Sequence, residues 1–211
     1  MESQLPSAKL GIVDEIKSFF TNRFKTIFVT FFVSPIDGVR NMFSAPSEKV
    51  YIESLMLFGY AFVVYLLGFY ILIPDMPGSL YVKLALTPLI YMLITAVLAY
   101  AVKKQSGTPN FKNELQVGGV SGIPLSLLVL VALILKFTLS SRAMQSIMQE
   151  PQKVGLFGGF SLLYVLLMLI NTFQHSLKSA GTKDSIAWYA SPACVLVSFY
   201  ITGKIAFNIF S

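Results

Sequence analysis

Few residues in this chain could do chemistry: one histidine (His175), one cysteine (Cys194) and ten carboxylates among 211 residues. A serine becomes a nucleophile when a base stands beside it. Gly119-Val120-Ser121-Gly122, together with His175, is the arrangement that invites this reading. On antiparallel helices the two residues fall near the same membrane end. The plainer reading makes Ser121 part of a small-residue packing stretch and His175 a helix cap or headgroup contact. No second histidine or asparagine cluster suggests an oxyanion hole. One His and one Cys do not by themselves build a zinc or iron site. There is no Gly-x4-Gly-Lys-Ser/Thr loop to cradle phosphate. No cofactor and no catalysis are expected, and Cys194, close to Pro192, reads as a small core residue.

Charges inside apolar runs are the second source of chemistry. Glu53, Lys83, Lys136 and Lys204 all lie within such runs, and intramembrane charges are functional suspects by default. Glu53 falls at the start of its run. Lys83 and Lys136 fall about one turn inside the far end of theirs, and Lys204 about two turns inside. The three lysines are on one leaflet, where they would form a basic pocket for a lipid phosphate or small anion. Alternatively, their long stems snorkel to the headgroups. No Asp or Glu lies near mid-membrane, which argues against a carboxylate-driven proton or sodium transporter.

The elements that must position these residues follow from composition. An ordinary globular chain is roughly 25% charged; here 12% are charged, 55% are hydrophobic and mean hydropathy is +0.70. Five apolar runs, Val50–Ile73, Leu80–Val102, Val117–Leu139, Val154–Phe173 and Ile186–Phe210, each supply the ~20 residues that cross a bilayer core as a helix. They do not alternate as barrel strands would. The expectation is an all-α polytopic membrane protein, a five-transmembrane-helix bundle over 50–211 with an N-terminal amphipathic segment over 1–49. The excess of +6 charges and the pI of about 9.4 are spread between the runs, so no basic face for nucleic acid is expected. No internal repeat is apparent.

No basic n-region precedes an apolar h-region, so residues 1–49 are expected to stay on the mature chain. With the N-terminus cytoplasmic, eleven of the 16 Lys and Arg fall on that face. This bias places the C-terminus on the opposite side. Leu10, Val13, Ile16, Phe20, Phe24, Ile27 and Phe31 recur at three- and four-residue spacing and share one helical face. That face suits either the headgroup plane or the underside of the bundle. A short helix should begin at Ser34–Pro35 and run through Val39 and Phe43 to a break at Ala45–Pro46, with Ser47 and Glu48 capping the first span. Gly118-xxx-Gly122 and Gly155-xxx-Gly159 are spaced for close helix approach. Being on antiparallel helices, the two pairs lie in different leaflets and must meet different neighbours. Pro88, Pro124 and Pro192 each interrupt a span.

A Ser-Pro, a short helix carrying Phe43, a Pro-Ser break and then five spans resemble the Yip1 family of small polytopic proteins. Phe111-Lys112-Asn113-Glu114-Leu115, leading into Gly119, Ser121, Ile123 and Pro124, is similar to that family's approach to its third helix. The resemblance covers roughly residues 30–210. It implies a membrane organiser or adaptor linked to membrane traffic or homeostasis. The chain lacks the long cytosolic arm and the Asp-Leu-x-Gly-Pro motif of eukaryotic members, which argues against a small-GTPase partner and places it nearer the bacterial relatives. Gly119–Gly122 also resembles the nucleophile motif of rhomboid-type intramembrane proteases, although a five-helix chain with one histidine fits that family poorly. Two function classes follow: a non-catalytic adaptor or accessory subunit that meets lipids and other membrane proteins or its own copies, and a lipid or small-anion carrier using Lys83, Lys136 and Lys204.

Overall fold

A chain this apolar must satisfy its backbone hydrogen bonds within each segment, and it does so as helices. The computed structural model describes residues 12–44, 50–105, 109–138 and 151–210. They form α1 (Ile12–Ser18), a π-turn (Phe19–Arg23), α2 (Phe24–Val33), α3 (Asp37–Ser44), α4 (Val50–Leu72), α5 (Gly78–Lys103), α6 (Phe111–Thr138), α7 (Pro151–Ser179) and α8 (Asp184–Phe210). Five of these, α4 to α8, are long and apolar enough to cross a membrane. The all-α, five-span architecture is therefore the one expected.

The boundaries differ from the apolar runs in an instructive way. α6 begins at Phe111 rather than Val117, and α7 continues to Ser179 rather than ending at Phe173. Both extensions are polar, and both are tied to neighbouring elements: Glu114 and Ser176 meet Lys103, and Gln116 meets Met42. Hydropathy reports where the bilayer ends, not where the helix does.

α6 is the central helix, packed against α4, α5 and α7, while α8 lies on α5 and α7. Between Gly118 and Gly122 α6 carries mostly small residues, and two backbones approach it there. A Cβ on Gly118 would lie 2.4 Å from the carbonyl oxygen of Met92 in α5, and one on Gly119 would lie 3.2 Å from Cα of Ser54 in α4. In lipid, where the solvent is as apolar as the side chains, such close contact supplies much of the association energy. Hydroxyls add bonds between α4 and α6 and between α5 and α8. Tyr65 donates to the carbonyl of Leu125 at 2.9 Å, Tyr60 and Ser126 pair at 3.2 Å, and Thr95 donates to Ser198 at 3.3 Å.

The N-terminal segment packs on this bundle. The rings of Phe24 and Tyr60 are 4.7 Å apart, and Arg23 faces Glu53 at 3.3 Å. α3 lies on α7 and touches α6: Asn171 of α7 donates to the carbonyl of Pro35 at 2.7 Å, Gln116 of α6 donates to that of Met42 at 3.2 Å, and Val39 is fully buried. The inner face follows the predicted spacing from Phe24 onward and departs from it in and before the π-turn. Phe19, Ile27 and Phe31 are buried, while Phe20 and Ile16 are exposed. The π-turn is the cause: the amide of Phe24 bonds the carbonyl of Phe19, five residues back, so one extra residue enters the turn and the face rotates. Phe24 and Phe31 keep their places on the inner side, and Phe20 does not. Leu10, the surroundings of Val13, the Ala45–Pro46 break and the Ser47/Glu48 cap lie outside the described residues.

Candidate functional site

Three helix ends meet at one pole of the bundle: the last turns of α5 and α7 and the first turn of α6. Lys103 closes α5 and points inward. Its Nζ donates to Oε2 of Glu114 at 2.6 Å and to Oγ of Ser176 at 2.7 Å. The side chains of Lys103 and Glu114 are 7% and 4% exposed. Removing two charges from water is repaid when geometry is close and the remaining donors find acceptors. Here two of the three ammonium protons are engaged. The arrangement ties α5, α6 and α7 together. In the sequence Lys103 is one of the cations that flank the apolar runs, and Glu114 stands in the Phe111–Leu115 stretch. The available signal was an acid and a base on either side of one short interhelical connection.

A second charged group lies beside it. The α7–α8 connection is a tight cap in which Gly181 takes φ 78°, Gly181 N–H donates to Lys178 O at 3.0 Å and Thr182 N–H to Leu177 O at 3.2 Å. This Schellman geometry requires the left-handed residue, which glycine supplies. It folds the start of α8 back against the end of α7. There Arg40 of α3, His175, Lys178 and Ser179 of α7, and Asp184 of α8 line a cleft of about 490 Å³. Lys178 pairs with Asp184 at 3.1 Å. His175 and Lys178 are neighbours on one helical face, and Asp37 and Arg40 are within electrostatic reach of the imidazole.

The residues singled out by sequence are distributed differently. Lys83 donates to the carbonyl of Ile209 at 2.8 Å, at the end of α8. Lys136 donates to the carbonyls of Ile71 and, at 3.2 Å, Leu72, at the end of α4. Both cap the unsatisfied carbonyls of a neighbouring helix C-terminus, where a cation is electrostatically favoured. Lys204 is exposed, with its ammonium 5.8 Å from the Tyr200 ring centre. The three lysines thus engage three different partners. Gly118 and Gly122 face α4 and α5, whereas Gly159 has nothing within 4 Å of a Cβ position, and the surroundings of Gly155 lie outside the described residues. Ser121 is buried and donates to the carbonyl of Val117 in its own helix at 2.7 Å. His175 lines the cleft, and no hydrogen bond joins it to Ser121.

Spans, seams and capped ends together define a multi-pass helical membrane protein. No family model, curated protein or solved structure matches the chain.

Proposed function

We propose that the chain is a non-catalytic membrane organiser or adaptor, or an accessory subunit of a larger membrane assembly, with the N-terminus in the cytoplasm. The observation that carries this reading is the N-terminal layer. α1 to α3 are joined to the bundle by Arg23–Glu53, Asn171–Pro35 and Gln116–Met42, yet Phe20, Val29, Val33 and Ile36 remain exposed on the outer side. Exposed apolar residues on a docked layer suit contact with lipid or a partner. In the spans, Lys83, Lys103 and Lys136 each hold a neighbouring helix, which favours a structural body over a solute pathway. The similarity to the Yip1 family supports the same reading, and the excess of Lys and Arg on one set of loops supports the orientation.

Extraction of the tagged protein in mild detergent, with mass determination and identification of co-purifying chains, tests the proposal. A lone or self-associated 23.3 kDa chain that recruits a partner through α1–α3 supports an adaptor, and a stoichiometric set of membrane subunits supports the accessory role. Turnover of a substrate by the isolated chain would sink both.

A further inference from the structure

We propose that the cleft between α3, the end of α7 and the start of α8 binds a phosphate group, as carried by an anionic phospholipid headgroup. Arg40 and Lys178 bring two basic side chains from different elements to one opening, and His175 and Ser179 add polar groups. A guanidinium offers a planar fork that matches two phosphate oxygens, and a lysine adds a point charge. The first turn of α8, a 27-residue helix, begins at Asp184 in the same cleft, and such ends favour anions.

Position argues for the membrane surface. The apolar stretch of α7 gives way at Gln174, His175 and Ser176, and its span ends at Ser179. This is the level at which headgroup phosphates lie, and basic pockets between helices there hold anionic lipid. The volume, about 490 Å³, falls in the range of about 300–1,000 Å³ typical of small-ligand sites. Two carboxylates bear on the charge balance. Asp184 pairs with Lys178 at 3.1 Å but is 84% exposed, so an incoming phosphate can take its place on the ammonium. Asp37 lies at the start of α3, near His175. The contrast with Lys83 and Lys136 is direct: those lysines satisfy helix carbonyls, whereas Arg40 and Lys178 stand exposed in an open cleft.

The proposal deepens the adaptor reading by naming a ligand at the face that carries the N-terminal layer. Its test is independent of which proteins co-purify. The full chain, delipidated in detergent, is offered phosphatidylglycerol or monogalactosyldiacylglycerol, which has a polar headgroup without phosphate, and retained lipid is counted by native mass spectrometry. The wild type should retain phosphatidylglycerol at least about tenfold more strongly, and Arg40→Gln with Lys178→Gln should lose that preference. Arg40→Lys with Lys178→Arg should restore most of it, and Lys112→Gln, a cation outside the cleft, should leave it unchanged. Displacement by millimolar inorganic phosphate would assign the site to soluble phosphate, and resistance to it would assign the site to lipid; both uphold phosphate recognition. Equal retention of the two lipids, or full retention by the double Gln variant, would overturn the proposal and leave the adaptor reading standing.

Discussion

The α5–α6 and α7–α8 connections follow one electrostatic plan. In each, a lysine in the last turn of one helix pairs with a carboxylate in the first turn of the next: Lys103 with Glu114, and Lys178 with Asp184. A cation near a C-terminus and an anion near an N-terminus both complement the helix dipoles. The outcomes diverge because of what surrounds them. Ser176 closes over Lys103, and the pair is 7% and 4% exposed, while the second pair is 37% and 84% exposed. The same two charges make an interhelical lock where a third helix covers them and a screened surface contact where none does. Burial, not pairing, decides whether such a turn is structural or left available to a ligand.

The largest break in this comparison is Lys103→Met. It leaves Glu114 buried without a cation, which costs about 3–5 kcal/mol. Scanning fluorimetry in detergent should show the midpoint falling by roughly 10 °C. Replacing both partners, Lys103→Met with Glu114→Leu, should recover most of the loss, because an apolar pair removes the stranded charge together with the lock. A double variant no more stable than the single one would mean that the ammonium acts through Ser176 rather than Glu114.

Glycines carry the same contrast between covered and open sites. Gly118→Val pushes a side chain into the carbonyl of Met92, 2.4 Å from the Cβ position, and should destabilise by at least about 1–3 kcal/mol. Gly159→Val meets nothing within 4 Å and should stay within about 0.5 kcal/mol. Unfolding midpoints of the two variants check this. If Gly159→Val changes the particle mass without changing the midpoint, its face is a contact between chains.

Next in size is Lys136→Met, which strips the carbonyls of Ile71 and Leu72 of their cationic donor. The expected loss is about 1 kcal/mol, since water and headgroups at the end of α4 partly replace the bond. Faster amide exchange confined to the last turn of α4 would locate the effect, and uniform exchange across the bundle would contradict a local cap.

Much of this architecture was legible in the residues. Length and apolarity alone place five spans, and Ser34–Pro35 marks, two residues early, the short helix that becomes α3. Small residues at Gly118 and Gly122 announce a close approach, although not which helix approaches. The rest depends on encounters that no local pattern encodes. Lys83 looks like a snorkelling anchor until the end of α8 arrives beside it, and Lys103 looks like a loop cation until Glu114 and Ser176 converge on it. Phe20 and Phe19 are equally apolar, and the choice between them is made by a π-turn that brings Phe24 onto Tyr60 and Arg23 onto Glu53. In each case one side chain has two acceptable local futures, and a distant element selects between them.

The smallest effect is the most discriminating. Lys178→Met removes the same type of charge as Lys103→Met from the equivalent turn, yet it should cost well under about 1 kcal/mol, because solvent screens the pair and Asp184 remains hydrated. The midpoint should barely move, and raising the salt concentration should leave the difference between wild type and variant near zero. A loss approaching that of Lys103→Met would mean that the cleft is closed by something bound in it. Lys178 would then belong to a covered site like its counterpart, and the difference between the two turns would lie in the ligand rather than in the chain.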